Sequence, residues 1–186
     1  IGIEAASPGE AERAIECGHA PESILVSATN ARAQDLANLA ARGCRLALGS
    51  LSDVRRVGSL SRGTAVLLRI NPGVGDGHHR HVVTGGAQSK FGIPLEQLES
   101  ARSACRAAGL EVLGLHAHMG SGILEPAPLL VSARALCAAA RSLPRFGVLD
   151  FGGGFGIPYR EGEAELDLAA YGEAMDEELS VFAAAT

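Results

Sequence analysis

Two short segments of the sequence carry side chains and backbone groups that could do chemistry. In His116-Ala-His-Met-Gly-Ser-Gly122, two imidazoles lie two residues apart at the end of an apolar run. In Asp150-Phe-Gly-Gly-Gly-Phe-Gly156, three consecutive glycines directly follow another apolar run. Because glycine lets backbone N–H groups converge without obstruction by side chains, the second segment predicts a small anion-binding turn that suits a phosphate.

This glycine turn does not match the common nucleotide-binding fingerprints. A G-x-G-x-x-G pattern that starts at Gly152 would end at position 157, which is isoleucine. The sequence also contains no Walker pattern with its lysine. The sequence of the turn therefore disfavours dinucleotide or ATP binding. A phosphate on another kind of ligand remains as the predicted anion.

The two histidines allow two functional interpretations. Alternate residues of a strand point to the same side, so His116 and His118 should face one direction. They could be a zinc-binding pair of a barrel hydrolase, or His118 could pack flat on a cofactor ring whose phosphate contacts Ser121. Further metal ligands are scarce, since no histidine follows His118. A third, purely structural interpretation is that His116 is hydrogen-bonded inside the fold.

Two basic residues, Arg69 and Lys90, are further candidates for the site. Arg69 lies near the end of an apolar run that stops at Asn71-Pro72, so its guanidinium either meets an anion at the strand end or extends to the rim. Lys90 is the only lysine in the sequence. Any Schiff-base chemistry performed by this chain unaided would therefore require Lys90.

The elements that must position these residues follow from the hydrophobic pattern. Short apolar runs alternate with longer amphipathic stretches, several of which begin at a helix-capping residue such as Ser7 or Ser50. Mostly apolar strands flanked by one-sided helices are typical of a parallel sheet covered by helices. About six βα units predict an α/β fold, either a doubly wound sheet or, preferably, a partial (β/α)8 TIM barrel, with the chemistry in the loops after the strands. The strand candidates are residues 2–5, 23–26, 45–48, 65–70, 111–116 and 147–151.

Composition excludes several classes of protein. The chain has 186 residues and a formal net charge of −5, and its arginines are scattered among acidic residues, which disfavours nucleic acid as a partner. No apolar segment reaches the roughly 18 residues that a membrane-spanning helix requires, so no membrane partner is expected. The cysteines form neither a zinc pattern nor a disulfide framework and suggest a reducing, cytoplasmic location. They are Cys17, Cys44, Cys105 and Cys137.

Taken together, five motifs in order resemble the pyridoxal-phosphate-dependent decarboxylases that use an alanine-racemase-type barrel. This family acts on amino acids such as ornithine, diaminopimelate and arginine. The resemblance covers nearly the whole chain, and the loop around Gly77-His-His79 resembles the branch that acts on diaminopimelate. The motifs are Arg69-Ile-Asn-Pro-Gly73, Thr84-Gly-Gly86, Ser89-Lys-Phe-Gly92, His116-Ala-His-Met-Gly-Ser-Gly122 and Gly152-Gly-Gly-Phe-Gly156.

The resemblance implies the cofactor pyridoxal 5'-phosphate and a role for each motif. By resemblance, His118 stacks on the face of the cofactor ring. Ser121 and the backbone of Gly153 and Gly154 hold the phosphate, and Arg69 lies near the ring edge. The resemblance implies no metal site.

Several parts of the family pattern are absent from the sequence. Members of the family bind the cofactor aldehyde through a lysine on a strand that would precede Ile1, and Lys90 matches a different family position. A C-terminal β-domain with further active-site residues is also missing. We therefore expect no catalytic residue within these 186 residues and expect residues 1–186 to be part of the pyridoxal-phosphate-binding barrel domain. The first and last residues read as internal, which predicts an inactive piece with exposed strand edges.

The resemblance implies a carboxy-lyase that converts meso-diaminopimelate to L-lysine and CO2, a step of lysine biosynthesis. It also implies a cytoplasmic homodimer in the complete enzyme. The alternatives within the family are a decarboxylase of ornithine, arginine or carboxynorspermidine, or an amino-acid racemase. The alternatives of other classes are a zinc hydrolase that uses His116 and His118 and a non-enzymatic cofactor-binding relative.

Overall fold

The computed structural model describes residues 2–73 and 89–184. Helices and strands alternate along the described residues, as the hydrophobic pattern predicts. The strands are β1 (Ile3–Ala5), β2 (Ile24–Val26), β3 (Arg45–Leu48), β4 (Ala65–Asn71), β5 (Ile93–Pro94), β6 (Glu111–His116) and β7 (Val148–Asp150). The helices are α1 (Pro8–Glu16), α2 (Ala33–Ala41), α3 (Leu51–Gly58), α4 (Leu98–Ala108), α5 (Pro126–Ala140) and α6 (Leu168–Ala184).

All strand pairs in this sheet are parallel. The order is β1-β2-β3-β4-β6-β7, and the short strand β5 pairs with the end of β4. A contact between distant strands shows that the sheet is strongly curled. A carboxylate oxygen of Glu4 on β1 lies 3.3 Å from a ring nitrogen of His116 on β6. In a flat sheet four strand spacings would separate these strands by about 19 Å. The six main strands therefore form half of a barrel, which confirms the predicted fold.

Local sequence chemistry explains where two of the helices begin. Ser7 caps α1 by accepting a hydrogen bond from the backbone N–H of Glu10, and Pro8 follows it at the first helical position. The Glu10 carboxylate reaches back to the N–H of Ala6 at 2.8 Å. Ser50 caps α3 in the same way, through the N–H of Asp53 at 3.0 Å. Both serines had been predicted as helix starts from the sequence.

One hydrophobic core joins the sheet to its covering helices. Leu46, Leu68 and Leu115 lie on neighbouring strands of the sheet and are wholly buried. Helix α6 is only partly buried, since Phe182 packs into the core whereas Leu168 is 61% exposed. Within the described residues, none of the helices is long and apolar enough to cross a membrane.

The structure also differs from the predicted elements at the connection after β4. The pattern did not predict β5, because a pairing of two residues is too short to show a periodicity. A single 3₁₀ turn over Leu95–Gln97 precedes α4, so the regular helix begins at Leu98. The predicted motif residues between 74 and 88, which include His78, His79 and Thr84, lie outside the described residues.

Candidate functional site

The carboxyl ends of the strands surround a cleft on one end of the half-barrel. Its volume is about 460 Å³. Because every strand of the sheet is parallel, the residues that end β1, β2, β4 and β6 meet at this edge. The cleft is lined by Glu4, Ala6, Ser27, Thr29, Arg69, Phe91 and His118.

The structure brings the histidine motif and the glycine turn together. Strand β6 ends at His116, and His118 lies in the loop that follows it, half-buried and lining the cleft. The backbone N–H of Gly153 points to Nδ1 of His118 at 3.4 Å. The two segments that the sequence singled out for chemistry are therefore neighbours at one end of the sheet.

The glycine turn is packed against the loop that contains His118, with one position left open. A Cβ at Gly152 would lie 2.2 Å from the carbonyl oxygen of Ala117, and a Cβ at Gly154 would lie 2.0 Å from that of Gly120. Both glycines also have positive φ, of 71° and 101°. A Cβ at Gly153 would meet nothing within 4 Å. Gly152 and Gly154 are thus required by packing, whereas Gly153 borders open space.

Backbone hydrogen bonds fasten the same two loops to each other. The N–H of Ile123 donates to the carbonyl of Gly154 at 2.9 Å, and the N–H of Gly156 donates to the carbonyl of Ile123 at 2.7 Å. Ser121 lies two residues before this pairing and its side chain is exposed. The predicted phosphate-binding residues Ser121, Gly153 and Gly154 therefore belong to one connected pair of loops.

His116 has a different environment from His118. It is wholly buried, and its Nε2 lies 3.3 Å from Oε1 of Glu4. The same carboxylate oxygen accepts a hydrogen bond from Oγ of Ser27 at 2.7 Å. The contact with His116, together with the hydrogen bond from Ser27 and against the opposing effect of burial, lowers the pKa of Glu4 to about 2. His116 thus lies inside the fold, beside a carboxylate that stays ionised.

Asp150 lies beside Glu4 and His116 and connects them to the glycine turn. Its Oδ1 accepts a hydrogen bond from the N–H of Gly152 at 2.8 Å. One potential ligand atom each from Glu4, His116 and Asp150 lies within 4.8 Å of the others. The zinc-hydrolase alternative had paired His116 with His118, but the structure brings His116 to these two carboxylates instead. Because both carboxylates already accept hydrogen bonds, we interpret the group as an ionic cluster that supports the turn.

Arg69 ends in the cleft, as the sequence suggested for a guanidinium at the end of a strand. It is half-buried, and its guanidinium carbon lies 5.3 Å from the centre of the Phe91 ring. Nζ of Lys90 lies 5.2 Å from the same ring centre. Burial lowers the pKa of Arg69, and the charge of Glu4 opposes that shift.

The cleft also sets the charge of His118. Burial and the nearby Arg69 guanidinium lower the pKa of His118, against a smaller opposing effect of Glu4. Its imidazole is therefore uncharged at neutral pH. In the uncharged form one ring nitrogen can accept a hydrogen bond, as Nδ1 does from the N–H of Gly153.

Sequence reasoning missed three residues of the cleft. Glu4, Ser27 and Phe91 line the cleft, yet none was selected as a candidate. The available signal was a polar residue within or directly after an apolar run, since Glu4 is the middle residue of β1 and Ser27 directly follows β2. That signal applies equally to Arg69, which was selected.

A half-barrel whose strand ends present a glycine turn beside an imidazole defines a barrel domain suited to a phosphorylated cofactor. Over residues 1–186 the chain matches the family described as "Pyridoxal-dependent decarboxylase, pyridoxal binding domain". The chain belongs to this family. The predicted resemblance is thereby confirmed, and with it the class of cofactor.

Individual relatives are similar along most of the chain. The diaminopimelate decarboxylase of Methanothermobacter thermautotrophicus is 38% identical over 173 residues, which are 90% of this chain and 40% of that protein. The diaminopimelate decarboxylase of Streptomyces coelicolor is 34% identical over 181 residues, which are 95% of this chain and 41% of that protein. The chain therefore spans about two-fifths of the length of these relatives.

Solved structures agree with the half-barrel. The diaminopimelate decarboxylase of Helicobacter pylori, complexed with L-lysine, has a TM-score of 0.88 and 28% identity, and the match covers 96% of this chain and 48% of that chain. The arginine decarboxylase of Paramecium bursaria Chlorella virus has a TM-score of 0.79 at 22% identity, over 97% of this chain and 48% of that chain. The second similarity shows the fold alone.

Proposed function

We propose that this chain is the cofactor-holding barrel segment of a longer diaminopimelate decarboxylase, which converts meso-diaminopimelate to L-lysine and CO2 in lysine biosynthesis. Two similar proteins carry that name, at 34 and 38% identity. In this proposal the rest of the polypeptide supplies the lysine that binds the cofactor aldehyde, the remaining barrel strands and a C-terminal β-domain. The substrate is a small amino acid.

The contact between Gly153 and His118 is the observation that carries the proposal. A phosphorylated aromatic cofactor needs an anion-binding group and a flat surface within one molecule's length of each other. The N–H of Gly153 and Nδ1 of His118 are 3.4 Å apart, and a side chain at Gly153 would enter open space. The residues present therefore fit pyridoxal phosphate.

Each predicted site residue has a place in this proposal. His118 packs its imidazole against the ring. The N–H groups of Gly153 and Gly154 and the hydroxyl of Ser121 bind the phosphate, which requires no lysine when backbone donors are available. Arg69 lies at the ring edge, where its cation meets an anionic oxygen.

The chain's own contribution to the reaction is orientation. When bound, pyridoxal phosphate supplies the electron sink that accepts the electron pair left by departing CO2. His118 and the glycine turn fix the plane of the ring by holding its face and its tail. The neutral state of His118 suits stacking, because a flat imidazole can lie on the ring without adding a positive charge.

We further propose that the complete enzyme is a cytoplasmic homodimer. All four cysteines are free thiols, three of them buried, which is typical of a reducing compartment. The homodimer is carried over from the resemblance alone. Light scattering coupled to gel filtration of the complete enzyme tests it, and a monomer under assay conditions contradicts it.

A substrate scan of the complete enzyme tests the proposed function. We expect CO2 and L-lysine from meso-diaminopimelate, with much slower release of CO2 from ornithine and arginine. Release of CO2 from ornithine or arginine alone would assign the chain to another branch of the family. Stoichiometric zinc without pyridoxal absorbance would assign it to a metal-dependent hydrolase.

A further inference from the structure

One carboxylate in the cleft is held through a single oxygen atom. Oε1 of Glu4 accepts the hydrogen bond from Ser27 and also contacts Nε2 of His116. Oε2 forms no hydrogen bond to any residue that the structure describes. The Glu4 side chain is 39% exposed and lines the cleft. Glu4 is therefore anchored on one side and open on the other.

The anchor of this carboxylate lies in the interior. His116 is 0% exposed, and its ring nitrogens make no hydrogen bond of good geometry within the described residues, which leaves the 3.3 Å contact with Glu4 as its polar interaction there. A buried polar ring without such a partner is costly. The contact also spans from β1 to β6 across the curled sheet. Glu4 is consequently fixed by a residue that belongs to the barrel interior.

The carboxylate of Glu4 shares the cleft with a cation, the guanidinium of Arg69. Within residues 2–73 and 89–184, Arg69 forms no ion pair or hydrogen bond, and its recorded partner is the Phe91 ring. Glu4 is the charged group that raises the pKa of Arg69 against its desolvation. Because an uncompensated, half-buried guanidinium is unfavourable, the negative charge of Glu4 stabilises Arg69 in the cleft.

We propose that Glu4 is a positioning residue of the cofactor cleft: Ser27 and His116 fix its carboxylate, and its negative charge holds Arg69 in place beside His118. This inference rests on the proposed function, because it takes the cleft to be the cofactor site. Glu4 acts through Arg69 and not by contact with the reacting atoms.

If Glu4 acts through its charge, removing that charge should change the pKa of His118, whereas a loss of Glu4 packing alone should not. Four charged or titratable groups act on this imidazole: Arg69 and His116 lower its pKa, whereas Glu4 and Asp150 raise it. Removing the charge of Glu4 leaves the effect of Arg69 less compensated. The pKa of His118 should then fall further below its ordinary value.

The experiment compares Glu4→Gln with Glu4→Asp and Ser27→Ala in the complete enzyme. Histidine resonances of the cofactor-free enzyme report the titration of His118, and calorimetry reports the affinity for pyridoxal phosphate. We expect Glu4→Gln to shift the His118 midpoint to lower pH and to weaken cofactor binding about fivefold or more. Glu4→Asp keeps the charge and should retain most of both properties. Ser27→Ala releases one anchor of the Glu4 carboxylate but keeps its charge, so both effects should be smaller than in Glu4→Gln.

Two outcomes overturn the proposal while the proposed function stands on the wild-type assay. In the first, Glu4→Gln leaves the His118 midpoint and the cofactor affinity unchanged. In the second, all three variants weaken cofactor binding equally without moving the midpoint, which assigns Glu4 to packing. If Glu4→Gln does not fold, Arg69→Met provides the same test with the opposite sign, because removing the cation should raise the His118 midpoint. An unchanged midpoint in Arg69→Met also overturns the proposal.

Discussion

Two histidines of one motif have opposite surroundings. His116 ends β6 and is wholly buried beside Glu4, whereas His118 lies in the following loop, half-buried and lining the cleft. We call Glu4, Ser27, His116 and Asp150 the floor of the cleft. The comparison shows that a pair of residues two positions apart need not form one ligand set, because the strand ends between them.

Four residues beside the floor have different surroundings. We call Arg69, His118, Ser121 and Gly153 the rim. Each of the four floor residues has a polar contact with another floor residue or with the glycine turn. The rim residues Ser121 and Gly153 instead border open space or solvent. The floor therefore supports the structure of the cleft, and the rim is available to a ligand.

Alanine substitutions at two glycines of the turn should have the largest effects, one on stability and the other on cofactor binding. Gly154→Ala combines a positive φ with a Cβ 2.0 Å from a carbonyl oxygen, so it should lower the free energy of unfolding by about 3 kcal/mol or more. Gly153→Ala should change it by less than about 1 kcal/mol, yet weaken pyridoxal phosphate binding about tenfold, because the methyl group enters the phosphate space. Urea unfolding of the cofactor-free complete enzyme and calorimetric titration measure the two effects. Equal stability losses in both variants would contradict the assignment of Gly153 to the rim.

Replacing each histidine by alanine should have the next largest effects. The floor residue should affect stability, and the rim residue should affect cofactor binding. His116→Ala empties a wholly buried position and should lower the free energy of unfolding by about 2–4 kcal/mol. His118→Ala should cost less than about 1 kcal/mol and instead weaken cofactor retention and slow turnover about tenfold or more. Unfolding curves and the pyridoxal absorbance retained after dialysis give both quantities. Similar losses of cofactor and of stability in the two variants would mean that the site is misplaced.

The pH dependence of stability should reveal the floor carboxylate and the rim imidazole in separate ranges. The native pKa of Glu4, about 2, lies below its ordinary value of 4.5, so its ionised form stabilises the fold above pH 4.5, and this contribution is lost as the pH falls towards 2. The native pKa of His118 is also lowered, so the unfolded chain takes up a proton first and stability begins to fall below about pH 6.5.

Unfolding of the cofactor-free complete enzyme between pH 2 and 8 measures both slopes. Glu4→Gln should remove much of the acidic slope, and His118→Asn should flatten the part of the curve directly below pH 6.5. Identical curves for the two variants and the wild type would contradict the electrostatic account.

Thiol labelling should give the smallest effect and serves as a check on the packed sheet. Cys17 is exposed, whereas Cys44, Cys105 and Cys137 are buried, and burial raises the pKa of Cys105 to about 11. Iodoacetamide at pH 8 should therefore modify Cys17 within minutes and leave the other three intact until urea is added. Rapid labelling of Cys105 in the native enzyme, detected by peptide mass, would show that the core is looser than described.

Sequence patterns predicted the parts of the molecule that depend on neighbouring residues. The helix starts at Ser7 and Ser50, the main strands and the glycine turn are local features with a strong signal, and all are present in the structure. The nearness of His118 to Gly153 was also predictable, because parallel strands end at the same edge.

The floor of the cleft could not be predicted, since it depends on the curl of the sheet. Glu4 and His116 are 112 positions apart and lie on strands that are not neighbours, so no periodicity or spacing relates them. The interior position of His116 was one of the interpretations of the sequence, whereas its partner Glu4 was not foreseen. The exposure of Leu168 on α6 has a similar cause, because an amphipathic stripe specifies a buried face but not how much of its length the sheet covers.

A structure of the complete enzyme with pyridoxal phosphate bound tests the central claim most directly. The account predicts that the phosphate accepts hydrogen bonds from the N–H groups of Gly153 and Gly154, while the imidazole of His118 lies flat against the ring. A cofactor whose phosphate lies elsewhere, or whose ring has no contact with His118, would contradict the assignment of this cleft.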